Sequence, residues 1–317
     1  PKYIPLNGET LAIFGLIQAE AAKSLKSSVF QFSNSDPILV KRILKYFAVI
    51  WKVPKTSWSV YVYYWKPNFS GKEYSINNYW QNFLGIKINS VKQGTSYRLS
   101  EHSKEFGVAS LRLNNKIMAG LILNFLYKVV RPLVEKSSVF AGWYLKGLFD
   151  GDGTLSVHKG KFCFAGLAFN PKSDELDHYH KVLALFNIDF DKAHLRKTNR
   201  RCIFFGHWQT IYKLLKATNG KLFLNDRNKI LVRAFLDNQY VVPLLRLKLL
   251  KGKQPITINA YTKLLGYGKR NSADCLKRLR DLKLISCDEE KPFKYYLTCE
   301  GEEFLDFVEK LGEIKND

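Results

Sequence analysis

The chain is poor in the residues that staple small scaffolds together. Its 317 residues include only five cysteines, Cys163, Cys202, Cys275, Cys287 and Cys299. That odd number, with no C-x-x-C spacing, argues against a disulfide framework and against a zinc site. Long apolar runs are also missing: nothing approaches the roughly 18 uninterrupted apolar residues of a spanning helix, and the first residues lack the order of a secretory signal. The expectation is a soluble intracellular protein without a membrane partner, cytoplasmic, nucleoid-associated or organellar. Acid is scarce relative to base, with 28 Asp plus Glu against 50 Lys plus Arg and a net charge of +22. An excess of that size, beside 14% aromatics, points to a polyanion, because each neutralised phosphate releases condensed counterions.

What is present can bury two cores. The hydrophobic fraction is 46%, which excludes global disorder at this length. The basic excess is uneven, at +19 over residues 1–238 and +3 over 239–317, so the main polyanion surface is expected in the first three quarters. A weak internal repeat organises that part. LAIFGLIQAEAA from Leu11 and YLKGLFDGDGTL from Tyr144 each place a small residue four positions after a glycine, Gly15 with Ala19 and Gly147 with Gly151. An acid follows at once in each, Glu20 and Asp152. Downstream, VFQFSNSDPILVKRILKYFAVI from Val29 parallels GLAFNPKSDELDHYHKVLALFNI from Gly166. Both read as a strand, a polar capping turn and an amphipathic helix.

Further strands are expected at Trp58–Trp65 in the first half and at AHLRKT and RCIFF in the second. Helices are expected at Lys116–Val130, at Trp208–Thr218 and at Asn228–Leu236. The first half also carries an insertion around 72–106, whose SINNYWQNFLGI reads as a helix and whose polar, basic loop is either a DNA contact or decoration. From Gln239 the pattern changes to two short helices separated by Gly-Tyr-Gly, a two-stranded wing and a closing helix, an arrangement whose second helix can enter a major groove. Residues 246–283 carry +9 and residues 284–317 carry −6, which would present one face to DNA. The expected division is 1–137, 138–238 and 239–317.

Small residues at i and i+4 share a helix face and let two backbones approach closely. If those faces met, Glu20 and Asp152 would emerge from the same end of the pair, at helix C-termini where negative charge is unfavourable and the carboxylates repel. A divalent cation would relieve that, since hard carboxylate oxygens bind Mg²⁺, which can activate water against a phosphodiester.

FGLIQAEA and KGLFDGDG resemble the paired LAGLIDADG motifs of homing endonucleases, over roughly residues 9–238. The resemblance implies an α+β fold of two pseudo-symmetric αββαββα halves forming a DNA-binding saddle, with a winged helix-turn-helix domain appended. It implies Mg²⁺, or Mn²⁺ or Ca²⁺, on Glu20 and Asp152, with the cationic residues Arg227 and Lys136 flanking the metal as catalytic residues, Arg227 to stabilise charge and not to shuttle protons. The first motif departs from the family pattern at Gln18 and Ala21. The implied function is site-specific double-strand cleavage by a monomer, on a long asymmetric duplex site, in intron homing. The alternatives are a non-cutting DNA-binding regulator on the same fold and an RNA intron maturase. Expected DNA contacts are His158, Lys159, Lys161, Arg196, Lys197, Arg200 and Arg201 on the saddle, and Lys269, Arg270, Lys277 and Arg278 on the second helix of the C-terminal domain. Half of the alternating aromatics at 58–65 are expected in the core and half toward DNA.

Overall fold

The computed structural model describes residues 3–21, 29–64, 71–93, 106–158, 161–171, 173–188, 201–223 and 226–316. They form a mixed α and β protein with small sheets. The chain folds into two compact units, one of residues 1–154, 167–203 and 222–224 and the other of 155–166, 204–221 and 225–317. Residues 239–317 thus lie wholly in the second unit, together with 155–166, 204–221 and 225–238.

The first unit is organised around α1 (Gly8–Glu20) and α5 (Ser138–Asp152). Residues 10–18 of α1 are buried without a break, as expected for a helix apolar on every side. Asn7 caps α1 by accepting from the Thr10 amide at 2.9 Å, and Ser137 opens α5. Between them come β1 (Phe30–Asn34), α2 (Pro37–Val49), β2 (Trp58–Tyr64), α3 (Glu73–Leu84), β3 (Ser90–Gln93), β4 (Val108–Leu113) and α4 (Lys116–Val134). Helix α2 starts where the sequence signals it. Asp36 accepts from the Ile38 amide at 3.0 Å and Pro37 sits in the first turn, where its missing N–H costs nothing. Its apolar stripe, including Val40, Ile43, Leu44 and Phe47, is buried.

The four-stranded sheet is ordered β1-β4-β2-β3. Strand β4 pairs antiparallel with β1 and β2, while β3 runs parallel to β2. Parallel neighbours need a crossover, and α3 lies within that connection. The insertion is therefore a β-α-β addition that widens the sheet. It is fixed by burial of Ile76, Trp80 and Leu84 and by the Trp80 indole donating to the Phe106 carbonyl at 2.7 Å.

Helix α4 continues past the expected end at Val130 to Val134, despite Pro132. A proline ring clashes with the carbonyl four residues earlier, here that of Lys128, and residues 126–130 form a π-helical turn that widens the helix at that point. Among the described residues α4 is the one helix long and apolar enough to cross a membrane. Its inner side, with Ala119, Ile122, Leu123, Leu126, Val130 and Val134 fully buried, packs as a core helix does.

After α5 come β5 (Gly153–His158), β6 (Lys161–Phe169), α6 (Glu175–Ala184), β7 (Arg201–Phe205), α7 (Trp208–Ala217) and α8 (Arg227–Leu236). The sheet β5-β6-β7 is made of strands that run through both units. The expected strand at AHLRKT falls outside the described residues. The second unit ends with β8 (Ile256–Thr257), α9 (Ile258–Leu265), α10 (Lys269–Asp281), β9 (Ile285–Cys287), β10 (Lys294–Leu297) and α11 (Cys299–Asn316). Its sheet is ordered β8-β10-β9, antiparallel throughout. Gly266 ends α9 in the left-handed region, at φ 66°, which lets the chain turn sharply into α10.

Candidate nucleic-acid interface

The two motif helices touch backbone to backbone. A Cβ built on Gly15 would lie 2.0 Å from the Tyr144 carbonyl oxygen, and one on Gly147 would lie 1.7 Å from that of Ala12. At Gly151 it would meet the Ala19 Cβ at 2.4 Å and the Glu20 Cγ at 2.9 Å. The partners advance together along both helices, 8 with 143, 12 with 147 and 19 with 151. Helices α1 and α5 therefore run parallel, and Glu20 and Asp152 leave the pair at the same end.

What surrounds the two acids is specific. The Asn34 amide donates to Glu20 Oε1 at 2.8 Å, tying the end of α1 to the end of β1. Asp152 stands near Tyr179 and Cys202. Burial raises both of those pKa values, the Cys202 thiol to about 11, and the Asp152 charge adds to each rise. Gln18, where the motif commonly has Asp, is fully buried. Its Nε2 lies 3.4 Å from Glu175 Oε1, and Glu175 Oε2 accepts from the Asn170 amide at 2.7 Å. This neutral side chain joins α1 to the start of α6, a packing role in which a buried Asp would meet the Glu175 carboxylate.

Glu20 gives one carboxylate oxygen to Asn34, and among the described residues no group of three or more His, Cys, Asp or Glu is placed to hold a metal. Lys136 is exposed in the turn before α5, and Arg227 is half-buried in the first turn of α8.

The outward face of the four-stranded sheet carries polar chemistry. In β2, Trp58, Val60, Val62 and Tyr64 are buried, while Ser59, Tyr61 and Tyr63 alternate on the other face. Arg112 of β4 lies over the Tyr61 ring, 4.7 Å from its centroid, and donates to the Tyr63 hydroxyl at 3.0 Å. Lys92 of β3 approaches the same ring, and Ser33 and Ser110 are bonded at 3.0 Å. Sequence reasoning placed aromatics here but missed Arg112 and Lys92, because only the pairing of β4 and β3 on either side of β2 brings them to Tyr61. On the other sheet, His158, Lys161 and Arg201 belong to β5, β6 and β7, and Lys159, Arg196, Lys197 and Arg200 lie outside the described residues.

In the second unit, α10 has two faces. Cys275, Leu276 and Leu279 are buried with Ser272, and Tyr261 of α9 packs on them, its hydroxyl 3.4 Å from the Cys275 sulfur. Lys269, Arg270, Lys277 and Arg280 are exposed. Arg278 differs: it is half-buried on the flank and donates through Nη2 to the Tyr240 carbonyl at 3.0 Å. The acids of α11 are engaged inside the unit, Glu303 with Lys216 at 2.6 Å and Asp306 and Glu309 with Lys251 at 3.1 and 3.2 Å.

No family model matches the chain, and no curated protein matches it. Among solved structures it is similar to full-length DUF199/WhiA from Thermatoga maritima, at 13% identity and a TM-score of 0.40, over 87% of this chain and 92% of that one. The expectation of a homing endonuclease is corrected accordingly: neither a family model nor a curated protein supports a cutting enzyme.

Proposed function

We propose that the chain is a DNA-binding protein that does not cut its target, built on a LAGLIDADG-like pair of parallel helices and a winged helix-turn-helix. The observation that carries this reading is the two-faced α10. Its inner face is sealed by Leu276 and Leu279, and its outer face presents Lys269, Arg270, Lys277 and Arg280. A tight turn precedes it and a β9-β10 hairpin follows, the order in which a recognition helix is presented to a major groove. The net charge of +22 supports a polyanionic partner, and the Tyr61, Tyr63 and Arg112 face offers a second surface of the kind that contacts phosphates and base edges. Double-stranded DNA is the partner we assign.

The test is a gel-shift assay with duplex DNA, run beside a cleavage assay on the same fragments in Mg²⁺ and in Mn²⁺. The reading expects retarded and intact duplex under all conditions. Site-specific double-strand products that disappear in Asp152→Asn would overturn it, and so would a failure to retard any duplex at low salt.

A further inference from the structure

The second unit contains a cleft of about 710 Å³ that the DNA-binding reading does not use. That volume falls within the range of roughly 300–1,000 Å³ typical of small-molecule sites. Its walls come from four places that the fold brings together: the start of α7 (Trp208), the end of α8 (Asp237), the segment that follows (Gln239, Tyr240), and the last turn of α10 (Arg278, Asp281). The indole of Trp208, the phenol of Tyr240, the imidazole of His207, two carboxylates, three carboxamides and a guanidinium therefore converge on one space. The guanidinium is positioned rather than loose, since Arg278 donates to the Tyr240 carbonyl and lies 5.8 Å from the Tyr240 ring centroid.

This lining selects among ligand classes. Trp208 and Tyr240 supply flat faces for a planar ring, and base–aromatic stacking is worth about 1–3 kcal/mol per base. Asp237, Asp281 and the Gln239 carbonyl are acceptors for ring N–H and exocyclic amino groups, and the Gln239 amide and Arg278 are donors for ring nitrogens and carbonyls. Asp281, and Asp237 with its Arg233 partner at 3.8 Å, stand beside the single lining guanidinium of Arg278, which is already bonded to a backbone oxygen, and so disfavour a phosphate. We infer that this cleft binds a free, unphosphorylated nucleoside, and that the occupied cleft bears on the flank of α10. The binding itself does not depend on the DNA-binding reading; only its consequence for α10 does.

Calorimetric titration of the full chain with adenosine, guanosine, cytidine and thymidine, without DNA, tests the inference. At least one should bind saturably with a Kd of about 1 mM or tighter, the affinity that roughly 4 kcal/mol gives. Asp281→Asn and Trp208→Ala should each weaken it about tenfold, equivalent to the loss of ~1.4 kcal/mol. Asp281 is exposed, so Asp281→Asn should leave the melting temperature unchanged and keeps the test valid if Trp208→Ala misfolds. Absence of saturable binding by any nucleoside would overturn the assignment. Binding indifferent to Asp281→Asn would do so too, as would tighter binding of a nucleoside monophosphate or a single-stranded oligonucleotide. The same titration with duplex DNA present separates the two claims, because nucleoside binding that persists when DNA binding fails leaves the cleft intact and removes only its coupling to α10.

Discussion

Replacing Gly147 by alanine isolates the contact on which the first unit is organised. The added methyl would sit 1.7 Å from the Ala12 carbonyl oxygen, with the Ala12 carbon at 2.7 Å and the Leu16 nitrogen at 2.8 Å. All three atoms are backbone, so no rotamer change relieves the clash, and the helices must separate by about 1.5 Å to restore ordinary contact. A gap of about 1 Å already forfeits up to half of a dispersion well, and Ala12, Gly15 and Leu16 of α1 meet Tyr144, Gly147 and Leu148 of α5 backbone to backbone. Overpacking alone costs about 1–3 kcal/mol, and a rigid backbone obstacle puts this case at or above the upper end. The helix propensity of alanine over glycine returns about 1 kcal/mol. A net loss of about 2 kcal/mol should lower Tm by roughly 4–8 °C for a unit of this size. Gly120→Ala is the matched control: it is helical, a Cβ there meets nothing within 4 Å, and the propensity gain should raise Tm by roughly 2–4 °C. Calorimetric melting of the two variants beside the parent decides the matter. A Gly147→Ala protein melting at or above Gly120→Ala would refute the parallel, touching arrangement of α1 and α5.

Three further outcomes are expected. His178 is buried, with Nδ1 2.7 Å from Glu135 Oε1 and Nε2 2.9 Å from the Tyr144 hydroxyl. Burial, helped by Arg131, lowers its pKa from 6.5 to about 4 against the opposing pull of Glu135. The unfolded chain therefore takes up a proton before the folded one, and stability present above pH 6.5 should fall by up to about 3 kcal/mol as pH drops toward 4. Denaturant titrations across that window should show the loss, and His178→Gln should flatten it. Arg112→Ala, which strips the guanidinium from the Tyr61–Tyr63 face, should weaken duplex binding about tenfold and reduce its salt slope by about 0.9, read by fluorescence anisotropy. Arg278→Ala should instead lower stability by about 1 kcal/mol through its lost bond to the Tyr240 carbonyl and leave the salt slope unchanged.

Much of this architecture was legible because local rules and global packing agree. The Gly15–Ala19 and Gly147–Gly151 spacings signal close helix approach, and Gly15, Gly147 and Gly151 have no room for a Cβ. The alternation in WSVYVYY appears directly as burial of every second residue. Gly266 marks the turn into α10. Long-range pairing was not legible. Nothing near Arg112 announces that β4 inserts between β1 and β2, so its stacking on Tyr61 could not be read from the chain. Gln18 looked like a defect in a metal-binding motif, whereas its partner, Glu175, lies 157 residues away. Arg278 was grouped with the phosphate contacts by charge, and its bond to the Tyr240 carbonyl could not be read from the chain. Spacing reveals where the carboxylates of Glu20 and Asp152 emerge, whereas the Asn34 amide on Glu20 could not be read from the chain.

The central claim is that α10 carries a DNA-binding face. The most direct measurement is the dependence of log Kd on log salt for one duplex, compared between the full chain and a variant with Lys269, Arg270, Lys277 and Arg280 all changed to alanine. Each lost phosphate contact should remove about 0.9 from the slope, so the variant should be flatter by up to about 3.6 and bind more weakly at low salt. An unchanged slope and affinity, in a variant that melts like the parent, would contradict the assignment.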